Sequence, residues 1–285
     1  MIGRLLKRAV LIGGVCGVAV SAQAQQRPLV TEDPETIGAG FVLIEAGFDY
    51  ERDEQFTVSG LTGTLLRVPV VGLSIGVSSI AEIQLDGLSY SRLAVTDRDV
   101  LAPLSGAVTF AGETTTSVED FVIGTKVRLV SETDRRPAFG FRFATRLPMA
   151  SNESGLGLDT TDFFATILMG KTTESVRIVG NVGVGILGDP TRGDRQNDVL
   201  LYGVSIARAV AEGFELVGEI NGHGSTRRGV PPPGTESRSV MGLGARYTRG
   251  TVRLDVGVSA GITTRDRSFG ITAGFTWVFE AFQVP

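Results

Sequence analysis

The sequence has little of the chemistry that enzymes and metal sites most often use. Among its 285 residues there is one cysteine, Cys16, one histidine, His223, and one tryptophan. A single cysteine forms no internal disulfide and supplies no thiolate cluster for a metal. Basic residues number 27 against 31 acidic ones, so the chain also lacks the positive charge typical of nucleic-acid-binding proteins. We therefore expect no cofactor, no metal and no nucleic-acid partner.

Long hydrophobic runs are also absent beyond the start of the chain, where a membrane helix would need roughly 20 continuous apolar residues. The first stretch has Arg4, Lys7 and Arg8, then a short apolar run over 9–20, and then the small-residue triplet 22–24. This is the pattern of a secretory signal. It predicts cleavage after Ala24 and export of the mature chain.

Cleavage would change two properties of the protein. The predicted signal peptide, residues 1–24, carries three positive charges and no acid, so the formal charge would become −4 − 3 = −7. Cys16 would leave with the signal, which removes any cysteine nucleophile. The remaining chain is interpreted as a periplasmic N-terminal segment over 25–38, too short for a plug domain although it could dip into the lumen, followed by one domain over 39–285.

Most of that domain alternates between apolar and small or polar residues with a period of two. The stretches FVIGTKVRLV from Phe121 and FGFRFATRL from Phe139 are examples, and VRLDVGVSAG and FGITAGFTWVF repeat the pattern near the end. Such alternation over about ten residues is typical of a tilted membrane-crossing strand. We predict twelve strands, over 40–51, 63–74, 80–91, 119–130, 137–148, 162–172, 175–187, 198–208, 213–222, 238–248, 251–262 and 268–279. The second and third are the least regular, and Pro69 would remove a ladder donor from the second.

Short turns alternate with long polar connections between these segments, which is the arrangement of an outer-membrane barrel with both termini in the periplasm. A soluble β-sandwich also alternates, but it has shorter strands and keeps its charges outside. Here long aromatic faces oppose faces that mix glycine with charge. The sequence therefore predicts an all-β fold, an antiparallel transmembrane up-and-down β-barrel of about 12 strands in the outer membrane, surrounded by lipid.

The glycines of GVGILG, Gly183 to Gly188, match the spacing of a dinucleotide-binding turn. That motif needs a helix immediately after it, whereas Asp189-Pro190 and further turn-forming residues follow here. Gly183 and Gly185 instead fall on one face of a predicted strand, opposite Val182, Val184 and Ile186. We interpret them as a thin part of the lumen wall.

Several stretches resemble a bacterial outer-membrane family named for meta-pathway phenol degradation proteins. They are RPLVTEDPETIGAGFVLIEAGFDY, VEDFVIGTKVRLVSETDRRPAFGFRFATRLP, GDPTRGDRQNDVLLYG and FGITAGFTWVF. The resemblance covers most of the mature chain and implies a barrel that moves small, aromatic or hydrophobic compounds, with no catalytic signature. Such barrels commonly end on an aromatic residue. Because EAFQVP continues past Phe279, we expect Phe279 or Phe282 to close the signal read by the barrel-assembly machinery.

The phase of the alternation predicts which charges and polar groups face the lumen. The predicted pore-lining residues are Lys126, Arg128, Arg142, Arg146, Arg177, Asn181, Glu219, Arg246, Arg253 and Asp255, accompanied by acidic residues that include Glu45, Asp49, Glu82, Asp86, Asp120 and Glu215. Two neighbouring strands contribute Lys126, Arg128, Arg142 and Arg146, which we call the basic sector. Its charges either brace the wall by pairing with acids or steer anionic solutes. Comparable numbers of acids and bases favour bracing.

Other motifs carry weaker functional hypotheses. His223 and Ser225 lie in a predicted external loop and suit a hydrolase poorly, since no acid is placed beside them. Asp189, Asp194, Asp198 and Asn197 offer oxygen ligands without the spacing of a known calcium loop, and the Arg-Gly-Asp tripeptide at 192–194 is a common chance match. We expect a channel for passive transport of small solutes and no enzyme activity. The alternative is a structural or adhesion barrel acting through its external loops.

Overall fold

The computed structural model describes residues 27–283, so the predicted signal peptide and Cys16 lie outside the described residues. The described chain is almost entirely β-structure, apart from one short 3₁₀ turn over Ser105–Ala107. None of its helical segments has the length and hydropathy needed to cross a membrane. The strands are β1 (Phe41–Phe56), β2 (Leu61–Gly76), β3 (Ala81–Arg98), β4 (Thr114–Val118), β5 (Phe121–Val130), β6 (Ala138–Leu147), β7 (Asp162–Thr173), β8 (Val176–Gly188), β9 (Gln196–Ala211), β10 (Phe214–Ser225), β11 (Arg238–Arg249), β12 (Val252–Gly261) and β13 (Phe269–Glu280).

The sheet closes on itself. Apart from β4 and β5, consecutive strands pair antiparallel, and β1 pairs with β13 from Phe41 opposite Glu280 to Arg52 opposite Phe269. The short strands β4 and β5 occupy one position, because both pair with β3 at different heights. The result is a closed barrel of twelve strand positions in which β1 begins and β13 ends at the same rim. We call this rim periplasmic and the opposite rim external, as the short-turn and long-loop pattern indicates.

All twelve predicted segments are strands, and the predicted fold class is confirmed. The differences lie in the region where the alternation is weakest. Strand β3 extends to Arg98, into what the sequence predicts as an external loop, because β4 folds back to pair with it. Pro69 lies in β2 where the pairing with β3 skips from Arg67 to Val70, so the missing N–H coincides with a bulge and leaves the ladder on either side intact.

Large apolar side chains form a band around the outside of the barrel. Phe141, Phe143, Ile167, Val182, Leu200, Val204, Leu216, Leu243, Leu254, Val256 and Phe275 are all exposed. A water-soluble protein rarely exposes so much contiguous apolar surface, whereas a lipid-facing barrel requires it. The protein is therefore an outer-membrane barrel in contact with lipid.

Two external loops fold over part of the barrel mouth. Leu61, Leu65 and Leu93 of β2 and β3 form a buried cluster, against which Val108 and Leu156 pack from the loops 99–113 and 148–161. Hydrogen bonds fix the loops there, including one from the Ser59 hydroxyl to the Gly155 carbonyl. The mouth is thus covered on the side of β1 to β3 by an apolar contact that alternation within strands does not reveal.

The depth of a lipid-facing residue sets the cost of placing a charge there. Phe141 is the fourth of ten residues in β6, while Phe214 is the first residue of β10, and their exposed fractions are similar at 39% and 37%. We expect Phe141→Arg to lower the free energy of unfolding by about 2–4 kcal/mol and Phe214→Arg by about 0–1 kcal/mol. Reversible denaturant titration in lipid measures both. Equal losses would show that the band is misplaced.

Candidate functional site

The N-terminal segment, residues 27–40, lies inside the barrel and follows its inner wall. Arg27 contacts β13 and β12, Thr31 contacts β10, and Asp33 contacts β8. Farther along, Glu35 reaches β5 and the Ile37 N–H reaches Glu82 on β3, just before the chain enters β1. Fourteen residues therefore contact strands around the whole circumference, so the segment narrows the lumen from all sides.

Glu219 holds the first part of the segment. Its carboxylate accepts hydrogen bonds from the Val30 N–H (2.9 Å), the Thr31 N–H (2.8 Å) and the Thr31 hydroxyl (2.7 Å). A carboxylate that accepts backbone N–H groups satisfies donors that would otherwise be buried without partners. Asn181 acts similarly on the next residue, since its amide accepts from the Glu32 N–H and donates to the Glu32 carbonyl, both at 2.7 Å.

Three acidic side chains of the segment, Glu32, Asp33 and Glu35, bind basic residues of the wall. Lys126, which is 0% exposed, lies 2.8 Å from Glu32 and 3.0 Å from Glu82 of β3. Arg142 approaches Glu32 at 3.6 Å and Asp86 at 3.3 Å, and Arg128 lies 2.5 Å from Glu35.

Arg177 completes this contact. It donates to both carboxylate oxygens of Asp33 and, at 3.0 Å, to Glu132 in the periplasmic turn. Such bidentate arginine–carboxylate pairs fix orientation as well as charge. The acids of the segment thus take up much of the positive charge that the sequence places on the lumen wall.

Glycines of the wall leave room for the segment to approach the strands. A Cβ at Gly140 would lie 3.2 Å from the Pro34 Cβ, and one at Gly170 would lie 3.0 Å from the Pro34 Cγ. Gly140 is therefore a close-contact position beneath the segment. The sequence alone suggests a wall that glycine simply thins, whereas here glycine makes room for the chain's own proline.

The remaining predicted lumen residues lie in two groups. Arg246 donates to the Arg27 carbonyl, Asp255 lies 3.5 Å from the Arg27 guanidinium, and Arg253 lies 3.7 Å from Glu215 and donates to Thr248. Arg146 stands apart from the segment. It pairs with Asp162, lies 4.0 Å from Asp120, and its guanidinium is 5.9 Å from the centre of the Phe164 ring.

The structure therefore brings eight of the ten predicted residues into contact with the segment, places Arg253 beside Glu215 and Thr248, and leaves Arg146 above the segment. Sequence reasoning missed the acidic partners in the segment itself. The stretch TEDPET contains three acids within four residues, and this is the signal that could have identified them.

A second charged network lies nearer the external rim. Arg67 of β2 is 2.6 Å from Glu51 and 2.6 Å from Glu119, and Arg267 is 2.5 Å from Glu51. The Ser91 hydroxyl also donates to Glu119. These contacts join β1, β2, β3 and the loop before β13, so they brace the wall independently of the segment.

The other candidate residues have different surroundings from those that the sequence predicts. His223 was expected in a loop, but it is half-buried in β10, because the strand continues to Ser225 opposite Val199 of β9. The Ser225 hydroxyl accepts a hydrogen bond from the Arg227 N–H.

Asp189 accepts hydrogen bonds from the Thr191 hydroxyl and from the Thr191 and Arg192 N–H groups, and these bonds keep its pKa below the usual value. Asp189 therefore shapes its own turn.

Fold and lumen together define a class, namely twelve-stranded outer-membrane barrels whose own N-terminal segment lies in the lumen. The chain belongs to the family described as "Putative MetA-pathway of phenol degradation", whose profile matches residues 25–279. A comparison with curated proteins finds no match.

The chain is similar to several solved outer-membrane proteins. An outer membrane channel from Pseudomonas putida F1 has a TM-score of 0.60 at 12% identity, covering 87% of this chain and 98% of that one. The NanC porin has a TM-score of 0.48 at 10% identity, covering 83% and 98%. The translocator domain of the autotransporter NalP from Neisseria meningitidis has 0.49 at 12%, covering 85% and 89%. Because the last two scores lie below 0.5, only the first similarity bears on the fold.

Removal of Lys126 should destabilise the barrel far more than removal of an exposed lysine. Lys126→Met leaves Glu32 and Glu82 buried without their shared cation, and such a change costs about 3–5 kcal/mol. Lys171→Met is the control, because Lys171 pairs with Glu132 at 2.9 Å in a partly exposed site, where the expected cost is below about 1 kcal/mol. Denaturant titration in lipid compares the two. Similar losses would refute a special role for the buried cluster.

Proposed function

We propose that the protein is a passive outer-membrane channel for small solutes, with residues 27–40 as a constriction inside its lumen. The observation that carries this proposal is the polar inner wall. An eight-stranded barrel fills its interior with side chains, and a wider barrel leaves space for a ligand or for water. Here the inner wall carries charged side chains, threonines and glycines in place of a packed apolar core.

The balance of charge supports passage of neutral or cationic solutes over anions. The described carboxylates of the wall and segment are Glu32, Asp33, Glu35, Glu45, Asp49, Glu51, Glu54, Glu82, Asp86, Glu119, Asp120, Asp162, Glu215, Glu219 and Asp255, and the cations are Arg27, Arg67, Lys126, Arg128, Arg142, Arg146, Arg177, Arg238, Arg246, Arg253 and Arg267. Carboxylates outnumber cations. Because its cations are paired with these carboxylates, the basic sector acts mainly to stabilise the wall. Steering of anions by the basic sector is the weaker hypothesis.

The proposal includes export by a cleaved signal peptide and insertion by the barrel-assembly machinery. Cleavage after Ala24 would leave two residues before Arg27, so little extra chain would have to fit in the lumen beside the segment. The family match also starts at residue 25. At the other end, Phe279 lies within β13 opposite Val42, which suits an aromatic signal for the barrel-assembly machinery, whereas Phe282 follows the strand.

A disulfide between the segment and the wall tests the channel directly. The Thr31 Cβ lies 3.6 Å from the position that a Cβ at Gly203 would take, within the range of about 3.5–4.5 Å found in disulfides. We expect liposomes containing Thr31→Cys/Gly203→Cys to take up small solutes equally well when the protein is oxidised or reduced, because the segment is a fixed constriction.

The single variant Thr31→Cys is the control for the tether. Uptake that stops on oxidation would mean that the segment has to move for passage. Absence of uptake in every form, including the unaltered protein, would refute the channel. That result would favour the adhesion alternative, for which the exposed side chains of Val100, Leu101 and Val230 on external loops are the supporting observation.

The double variant Arg142→Gln/Arg146→Gln should increase the preference for cations. It removes the partners of Asp86 and Asp162, so the lumen gains uncompensated negative charge, which acts most strongly at low salt. The reversal potential across a planar bilayer under a salt gradient measures the change. Arg208→Gln/Arg249→Gln serves as the control, since both arginines are exposed near the periplasmic rim. An unchanged reversal potential in a folded, conducting Arg142→Gln/Arg146→Gln variant would contradict the proposed selectivity.

A further inference from the structure

A cleft with a volume of about 430 Å³ lies at the external rim above β7 and β8. Phe163 and Ile186 form its base, and they face each other across the β7–β8 pair. Both belong to the outward-facing set of their strands, and Phe163 is exposed. The cleft therefore lies at the boundary between the lipid-facing band and the external loops.

The lining of the cleft combines apolar and polar residues. Leu104 and Leu158 contribute apolar surface from the two loops that cover the mouth. The polar side chains of the lining include Thr160, Thr161 and Arg195, together with the carboxylates of Asp159 and Asp189. Ligand sites of this volume are usually apolar with a few polar groups that fix orientation. A negatively charged ligand would meet two carboxylates and only one arginine in this lining.

The inner wall behind the cleft combines the ion pair of Arg146 and Asp162 with apolar side chains. Phe164 follows Phe163 along β7 and points into the barrel, where Arg146 lies over its ring. A Cβ at Gly185 would touch both Phe164 (3.2 Å) and Val199 (3.0 Å), so these two side chains meet over β8. In β9, which is described along its whole length, the inward positions are Asn197, Val199, Leu201, Gly203 and Ser205, none of them charged.

From the lining of the cleft, we propose that it binds small, uncharged aromatic solutes on the external side of the barrel. This inference rests on the proposed channel function and adds a first binding site to it. The aromatic face of the solute packs on Phe163 and Ile186, and a hydroxyl group reaches Thr160 or Thr161. The volume suits a molecule of one or two rings and excludes a lipid with several acyl chains.

Cysteine protection tests the site. Thr161→Cys places a thiol in the cleft, and Thr264→Cys places one in the exposed loop before β13 as a control. We expect 1-naphthol to slow maleimide labelling of Thr161→Cys saturably in proteoliposomes and to leave labelling of Thr264→Cys unchanged. The anion 1-naphthoate should protect less, because Asp159 and Asp189 line the cleft.

A second substitution identifies the ring contact. Phe163→Asn in the Thr161→Cys background should abolish the protection. Phe269→Asn should retain it, since Phe269 is exposed to a similar extent (40% against 43%) at the external end of β13, across the barrel. Cooperative unfolding of both variants in denaturant titration in lipid checks that the barrel is folded.

Each outcome bears on the cleft separately from the channel. Equal slowing at residues 161 and 264, or protection that survives Phe163→Asn, would show that 1-naphthol only partitions into lipid and would overturn the site. Labelling of Thr161→Cys could also be slow in the absence of 1-naphthol and become fast in detergent. That result would mean that a lipid occupies the cleft, and it would overturn the proposed site. Protection with the expected pattern in a barrel that passes no solute would retain the cleft and refute the channel.

Discussion

The contact on which the lumen depends is the burial of Lys126 between Glu32 of the segment and Glu82 of the wall. Removing a lysine ammonium from water is costly, and two carboxylates close to it can offset that cost. One of those carboxylates is supplied by the N-terminal segment. The wall of the barrel and the position of the segment are therefore coupled, because the buried charges of Lys126 and Glu32 compensate each other.

This coupling explains why the inner wall has its particular composition. Glycines at 140 and 170 allow Pro34 to approach the strands, and Asn181 and Glu219 satisfy backbone groups of a chain that has no strand to pair with. Away from the segment, Glu51 and Arg67 brace the external half through their own network. The lumen thus has a periplasmic half organised around the segment and an external half braced by side chains, and the inward positions of β9 add an uncharged strip beside both.

Much of the fold could be predicted because lipid and water impose opposite demands on alternate residues. Phe139, Phe141 and Phe143 must face outward if Arg142 is to remain hydrated or paired, so a period of two specifies both the strand and its orientation. The alternation was least informative at β2 to β4, where Pro69 and the junction at Glu119 interrupt the ladder. His223 was misplaced for a related reason, since the glycines around it resemble a loop although the pairing with β9 continues.

The sequence by itself determined the barrel, its approximate strand number and the inward direction of Lys126, Arg142 and Arg177, because these follow from local alternation. Only the tertiary structure decided what those charges meet. Glu35 lies 93 residues from Arg128, Glu32 lies 94 residues from Lys126, and Asp33 lies 144 residues from Arg177. Such contacts depend on the path of the segment around the closed barrel, and a repeating pattern within single strands carries no information about that path.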